Sequence, residues 1–366
     1  MIPVEYYNIV YFLLLIFITM ALSFRILQGN NKNFNSASIN KYWCFLFLLF
    51  TILFIGLRDP YASFKYFGDT AVYTRFFNEI QYINAIEKKD AGFYVFMKIC
   101  SYFMDIRMFY LICAFLYIIP VYYTFKKWFS NLALYALVMT VVSLSFWAFG
   151  INGVRNGLAV SFFVFSLGFV GKNRWLMILF MFLSVVFHKS LLLPVFFFWI
   201  SYFVRLQINK LIIIWLGCVI LSAIIGVKIE EFTQPILGSF DDSRLHFYSE
   251  VLGSELEDFV AKGFRYDFVL YSSLPIFLGW YYINIKKYSD YFYERLLNIY
   301  VLSNSVWILF FMFVPFTNRY AYLSWCIMPV IMIYPLLKQK IMENQNIFIS
   351  HLISGTLLLT IIILLL

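Results

Sequence analysis

Apolar residues fill most of the chain in twelve runs, approximately 6–24, 42–57, 108–125, 131–151, 157–170, 175–187, 190–204, 211–227, 267–285, 295–314, 319–337 and 346–366. Most approach the length that crosses a bilayer core of about 30 Å. Lipid offers no water to unpaired backbone groups, so each run is expected to be helical. A thirteenth stretch, Phe93–Met104, is shorter and carries Lys98, and it reads as an interfacial or re-entrant helix. The pattern predicts an all-α polytopic membrane protein of about 12 transmembrane helices plus that extra helix, with residues 1–366 as one integral membrane domain.

Polar positions give the runs a direction. Basic residues cluster in alternate gaps: Arg25, Lys32 and Lys41; Lys126 and Lys127; Lys172 and Arg174; Arg205 and Lys210; Lys286, Lys287 and Arg295; Lys338 and Lys340. The positive-inside bias assigns those gaps to the cytoplasm and both termini to the outside. Two long segments, 58–92 and 228–266, then lie outside and hold most of the nineteen acidic residues. Mixed charge marks both as ordered, solvated loops, and long external loops imply that function is displayed outward. At about 1.5 Å per residue, runs 157–170 and 175–187 reach only about 20 Å. Arg155 and His188 at their ends should therefore sit below the outer membrane plane, where charged groups face protein or a watery cavity.

Composition narrows the function. The sequence is 63% hydrophobic and carries a net charge of +9, much of it lysine on the cytoplasmic gaps, so nucleic acid is not indicated as a partner. Its five cysteines lie in apolar stretches without metal or CxxC spacing, and they read as small core residues. The N-terminal run lacks a basic n-region and a small-residue cleavage site, which favours a retained span. Aromatic residues at 22% exceed an interfacial belt, which leaves helix packing or a tyrosine-lined sugar path for the surplus.

Three arginines, Arg58, Arg155 and Arg319, sit at outer ends of apolar runs, where the charge bias should exclude them. Arginine suits phosphate there, because its planar fork donates two parallel hydrogen bonds and stays charged. Gly56-Leu57-Arg58-Asp59 closes the second run and leads to Gly68-Asp69-Thr70-Ala71-Val72-Tyr73. Asp69 suits a helix N-cap, or else a carboxylate that orients or deprotonates a sugar hydroxyl, with Tyr73 one turn on. Asn152-Gly153-Val154-Arg155-Asn156-Gly157 interrupts the apolar register; its GxxxG is a common packing motif, but an arginine in so tight a bend points to an anion. His188-Lys189-Ser190 is either a structural histidine turn or a titratable group beside an anion-binding lysine. Arg319 and Tyr320 open the eleventh run from outside. Arg244 and His246, with Phe247 and Tyr248, form a loop cluster suited to glycan contacts or to plain solvation. No DxD, P-loop, GxSxG or Rossmann pattern occurs, so no metal and no cofactor is expected and the substrate should carry its own activation.

These landmarks, GLRD at Gly56–Asp59, GDTxxY at Gly68–Tyr73, NGVRNGLA at Asn152–Ala159, FHKSLLLP at Phe187–Pro194 and NRYAYL at Asn318–Leu323, together resemble the EpsG/Wzy-type bacterial polysaccharide polymerases. The resemblance implies a membrane glycosyltransferase that moves a growing glycan from undecaprenyl diphosphate onto an undecaprenyl-diphosphate-linked repeat unit. It places the reaction at the periplasmic face of the bacterial inner membrane, as in O-antigen and exopolysaccharide synthesis. It also implies a flippase and a chain-length regulator as functional partners. Within it, Arg58, Arg155, Lys189 and Arg319 would bind diphosphate, Asp69 or His188 would be catalytic, and Tyr73, Arg244, His246 and Tyr320 would contact glycan. The rivals are a lipid-linked oligosaccharide flippase, an O-antigen ligase and a membrane O-acyltransferase.

Overall fold

A computed structural model describes residues 2–28, 37–82, 90–237, 263–314 and 317–365. They form an all-helical membrane protein, with no strand among the described residues. Six helical stretches among them are long and apolar enough to cross a membrane: Val4–Leu27, Ile106–Val141, Ile208–Ile229, Tyr266–Ile285, Thr317–Lys338 and Gln345–Leu365. Shorter apolar helices account for most of the other hydrophobic runs. The chain divides into two compact units, residues 1–195 with 333–366, and residues 196–332.

The first unit contains α1 (Val4–Gln28), α2 (Ala37–Gly56), the short α3 (Phe64–Phe67), α4 (Thr70–Glu79), α5 (Ala91–Ser101), α6 (Ile106–Phe129), α7 (Ala133–Val141), α8 (Leu144–Ile151), α9 (Val154–Leu167) and α10 (Arg174–Phe187). A helix α17 (Gln345–Leu365) returns to pack on α1. Side-chain caps start several of these helices where the sequence changes from polar to apolar. Asp105 accepts from the Met108 N–H (2.9 Å), and Asn173 accepts from the N–H groups of Trp175 and Leu176 (both 3.1 Å). Near Gly56, α2 approaches α6 so closely that an added Cβ would lie 2.9 Å from the Leu111 backbone.

The run at 131–151 is continuous in hydropathy but breaks between α7 and α8. Ser143 turns the chain, and its hydroxyl donates to the Thr140 carbonyl (2.6 Å). The Val142 carbonyl freed by the break accepts the Thr360 hydroxyl of α17 (2.8 Å). Such re-satisfaction is what allows a broken helix at membrane depth. Within the first long segment, 58–92, the described residues include the helices α3 and α4. The stretch Phe93–Met104, read as an interfacial or re-entrant helix, is helical as far as Ser101, within α5.

The second unit is built from α12 (Ile208–Leu237), α13 (Tyr266–Trp280, continued by a π turn at Tyr281–Ile285), α14 (Tyr291–Phe311) and α15 (Thr317–Trp325). The unit boundaries fall inside α11 (Leu192–Phe203) and α16 (Met328–Lys338). Helix α12 runs on to Leu237, so the first ten residues assigned to the second long loop are helical. Helix α14 is largely buried, and its asparagines are spent inside the bundle. Asn304 accepts from the Trp215 indole N–H (2.7 Å) and donates to the Ser272 and Ser324 hydroxyls (3.1 and 2.9 Å). Trp325 donates to the same Ser272 hydroxyl (2.7 Å). Four helices thus share one buried network.

Candidate functional site

Four of the five sequence landmarks meet at one end of the first unit. Arg58 follows α2 and is buried, 2% exposed. Its Nη1 donates to the Ile55 carbonyl (2.7 Å), its Nε to the Thr70 hydroxyl (3.0 Å), and its guanidinium lies 4.0 Å over the Tyr110 ring. Thr70 passes the connection on to the Ile151 carbonyl (2.8 Å), at the end of α8. Asp59 is turned to the Tyr61 N–H (3.0 Å) and forms no ion pair with Arg58. Arg58 therefore staples the neighbouring ends of α2, α4 and α8, with Nη2 buried and without a hydrogen-bond partner.

Asp69 opens α4 and is also buried. It occupies the N-cap position but makes no capping bond with its side chain, so simple capping does not explain a carboxylate there. Its N–H donates to the Asn152 side-chain oxygen (2.8 Å). Gly68, at φ +53°, makes room for that carboxamide; a Cβ would stand 2.5 Å from it. The GDTxxY and NGVRNG landmarks are thus one structure. Tyr73 is buried with its ring edge-on to Phe93 at 5.5 Å, which makes it a packing residue of the α4–α5 contact.

Arg155, in the first turn of α9, is 4% exposed. Its Nη1 lies 2.9 Å from Asp90 Oδ2 and donates to the Tyr94 hydroxyl (3.3 Å). Its Nε and the neighbouring Asn156 Oδ1 are buried without hydrogen-bond partners. Gly157 permits the bend, because a Cβ there would press to 2.8 Å from the Phe149 carbonyl oxygen.

Asp90 joins Arg155 to the histidine turn. It precedes α5 in a left-handed conformation, φ +55°, which is uncommon for a non-glycine residue. Its Oδ1 accepts the Lys189 N–H (2.8 Å) and lies 3.8 Å from His188 Nδ1. Helix α5 is brought to this turn through Gly92, whose missing Cβ leaves space for Val186. Lys189 is exposed while its N–H is held inside. The Ser190 N–H donates to His188 Nδ1 (3.3 Å) and its hydroxyl lies 3.1 Å from the same nitrogen. A backbone N–H can only donate, so Nδ1 accepts and the neutral ring carries its proton on Nε2.

In the second unit Tyr320 stacks on Phe311, centroids 4.4 Å apart, and the Arg319 N–H donates to the Asn318 side chain (3.0 Å). Arg244 and His246 lie outside the described residues. Among the described residues no group of His, Cys, Asp and Glu is arranged to hold a metal ion.

Sequence reasoning missed Asp90 and Tyr94. Asp90 stands at the end of the mixed run Glu87-Lys88-Lys89-Asp90, where no single charge stands out. The one local signal was an acid followed by Ala91-Gly92 at the start of a short apolar helix.

No curated protein and no solved structure matches the chain. A family model does match, over residues 41–366, the span that contains every landmark above. The chain belongs to the EpsG family and is a polysaccharide-polymerase-like membrane protein.

Proposed function

We propose that this protein is a polysaccharide polymerase that extends a lipid-diphosphate-linked glycan at the periplasmic face of the bacterial inner membrane. An acceptor sugar hydroxyl attacks the anomeric carbon of the donor glycan. The bond from that carbon to the lipid diphosphate breaks, the diphosphate leaves with the electron pair, and the hydroxyl proton passes to a base. Negative charge grows on the departing diphosphate, and preorganised cations in a site shielded from water stabilise it. The donor is already activated, so no nucleotide is required outside the cell.

The observation that carries this reading is the buried Arg155–Asp90–His188 assembly beside Asp69 and Arg58, tied together through Asn152. Asp90 fixes the guanidinium and orders the histidine turn, and Arg155 keeps an unspent Nε–H for an incoming anion. His188, protonated on Nε2, serves as a donor to a diphosphate oxygen, and the exposed Lys189 adds charge at the rim. The base then falls to Asp69, a carboxylate buried one helix away. Arg319 and Tyr320 contribute to substrate binding, and Arg244 and His246 to glycan binding. A flippase and a chain-length regulator supply repeat units and limit chain length.

Purified protein incubated with undecaprenyl-diphosphate repeat units should give a ladder of extended products. A normal ladder from Arg155→Lys protein would sink the diphosphate role of Arg155. In cells, deletion should leave surface glycan with a single repeat; loss of every repeat would point to the flippase or ligase reading.

A further inference from the structure

A third buried arginine lies at the opposite kind of loop, in the second unit. Arg295, in the first turns of α14, is 3% exposed. Its guanidinium lies 3.6 Å over the Tyr202 ring and 4.8 Å from the Tyr291 ring, and Nη2 donates to the Tyr291 hydroxyl (2.8 Å). Among the described residues that is its one hydrogen bond, and Nε is buried without a partner there. Among the described residues no carboxylate pairs with it. The adjacent Glu294 is engaged by Arg205 (3.6 Å), and Asp290 is spent on the N–H groups of Phe292 and Tyr293 and on the Tyr288 hydroxyl.

Cation–π stacking is worth about 2 kcal/mol when desolvated, whereas withdrawing an ion from water costs several. Two tyrosine faces therefore offset only part of the desolvation of Arg295. The surroundings are held in place. The Asn298 side chain grips Leu206 on both sides, accepting its N–H (3.0 Å) and donating to its carbonyl (3.1 Å). This fixes Arg205, whose guanidinium lies 4.5 Å from the same Tyr291 ring. Tyr202 and Tyr291 are 41% and 52% exposed, so the cage has an open side. Asn284 bonds Asn209 (2.9 Å), which brings Lys286 and Lys287 to the same end as Lys210. The segments around the cage thus carry five cations, and their two carboxylates, Glu294 and Asp290, already have partners.

We infer that Arg295 and Arg205, framed by Tyr202 and Tyr291, form a binding site for one phosphate group, carried by the headgroup of an anionic membrane lipid. Arg295 supplies the unspent Nε–H and Arg205 the second cation, and the tyrosine rings take the glycerol and acyl ends. The basic-gap pattern assigns this end to the cytoplasmic leaflet, where anionic lipids attract such clusters. It is a site separate from the outward arginine and histidine residues, and it binds lipid without turning it over.

The test uses the full-length protein in neutral detergent, with native mass spectrometry and thermal unfolding during titration with phosphatidylglycerol, phosphatidylcholine of the same chains, or inorganic phosphate. Phosphatidylglycerol should bind about tenfold more tightly than phosphatidylcholine, whose phosphate is the same but whose quaternary ammonium brings a like charge into the basic cluster. Arg295→Gln should abolish that preference, and Arg205→Gln, which leaves the buried cage intact, should weaken it several-fold. Protection by millimolar inorganic phosphate alone, with no preference among lipids, would keep the phosphate site and assign it a soluble ligand. Equal binding of both lipids with no phosphate effect overturns the inference. So does a phosphatidylglycerol preference that survives in Arg205→Gln and in whichever Arg295 variant folds.

Discussion

The Asp90–Arg155 pair can be tested by a double-mutant cycle of Asp90→Asn, Arg155→Gln and their combination. The two charges are 2.9 Å apart, with side chains 0% and 5% exposed. At an effective dielectric constant of about 20, their attraction is about 6 kcal/mol. Desolvating both ions costs several kcal/mol each, so the pair contributes little net stability as a unit. Removing one partner is different, because the other charge stays buried; each single variant should cost about 3–5 kcal/mol. The double variant strands no charge and should cost clearly less than the sum, giving a coupling of about 2 kcal/mol or more. Thermal unfolding in one detergent at one scan rate would measure the cycle, and each variant would also be assayed for chain extension. Both singles and the double should lose extension, since the double restores packing but not the cation. Costs that add within about 0.5 kcal/mol would refute an energetic pair. A double variant that polymerises normally would remove Arg155 from the mechanism.

Arg155→Lys and Arg319→Lys keep charge but lose the planar fork, and both should cripple extension while the protein remains in the membrane; normal product ladders from purified protein would count against a bidentate grip. Asp69→Asn should slow extension about 10²–10⁴-fold if Asp69 is the base, whereas His188→Gln should weaken it less; the reverse ranking would give that role to His188. Gly68→Ala places a methyl group against Asn152 at a positive φ and should destabilise the protein by about 1–3 kcal/mol, with extension falling at temperatures where the protein is still folded; unchanged unfolding and activity would show that the two landmarks are not locked together. Cysteine labelling should reach residues 58–82 from outside and residues near Lys126, Lys172 and Lys286 from inside; labelling of the first segment only from the cytoplasm would invert the topology.

What the sequence made legible was local. Hydrophobic runs marked the helices, and the short lengths of α9 and α10, fourteen residues each, matched the runs closely. Polar interruptions also marked where side chains converge, because Asn152–Arg155 and His188–Lys189 break runs that lipid would keep apolar. Partnership was not legible. Asp90 meets Lys189 across 99 positions, and nothing in Glu87–Asp90 distinguishes the acid that turns inward. Tyr73 sits one turn from Asp69 and so invited a role with sugar, yet Phe93 covers it. Arg58, read as a phosphate ligand, has two of its three nitrogens engaged by the protein. Helix α14 looked like an ordinary span, but its asparagines are hydrogen-bonded within the bundle.

The burial of Arg58 and Arg155 bears on how a membrane enzyme can hold arginine for an anion at all. An arginine facing lipid would snorkel to the interface, and one open to water would be screened and mobile. Here the first cation is fixed by carbonyl, hydroxyl and ring contacts, and the second by a carboxylate that is itself held by a backbone N–H. A fixed guanidinium does not have to reorganise as charge develops, which is where electrostatic catalysis gains over water. Full neutralisation would defeat that purpose, and each arginine retains one buried donor nitrogen without a hydrogen-bond partner, Nη2 in Arg58 and Nε in Arg155. The arrangement is thus anchored on one side and unspent on another. In the proposed function, this is the condition that a site for a transient diphosphate requires.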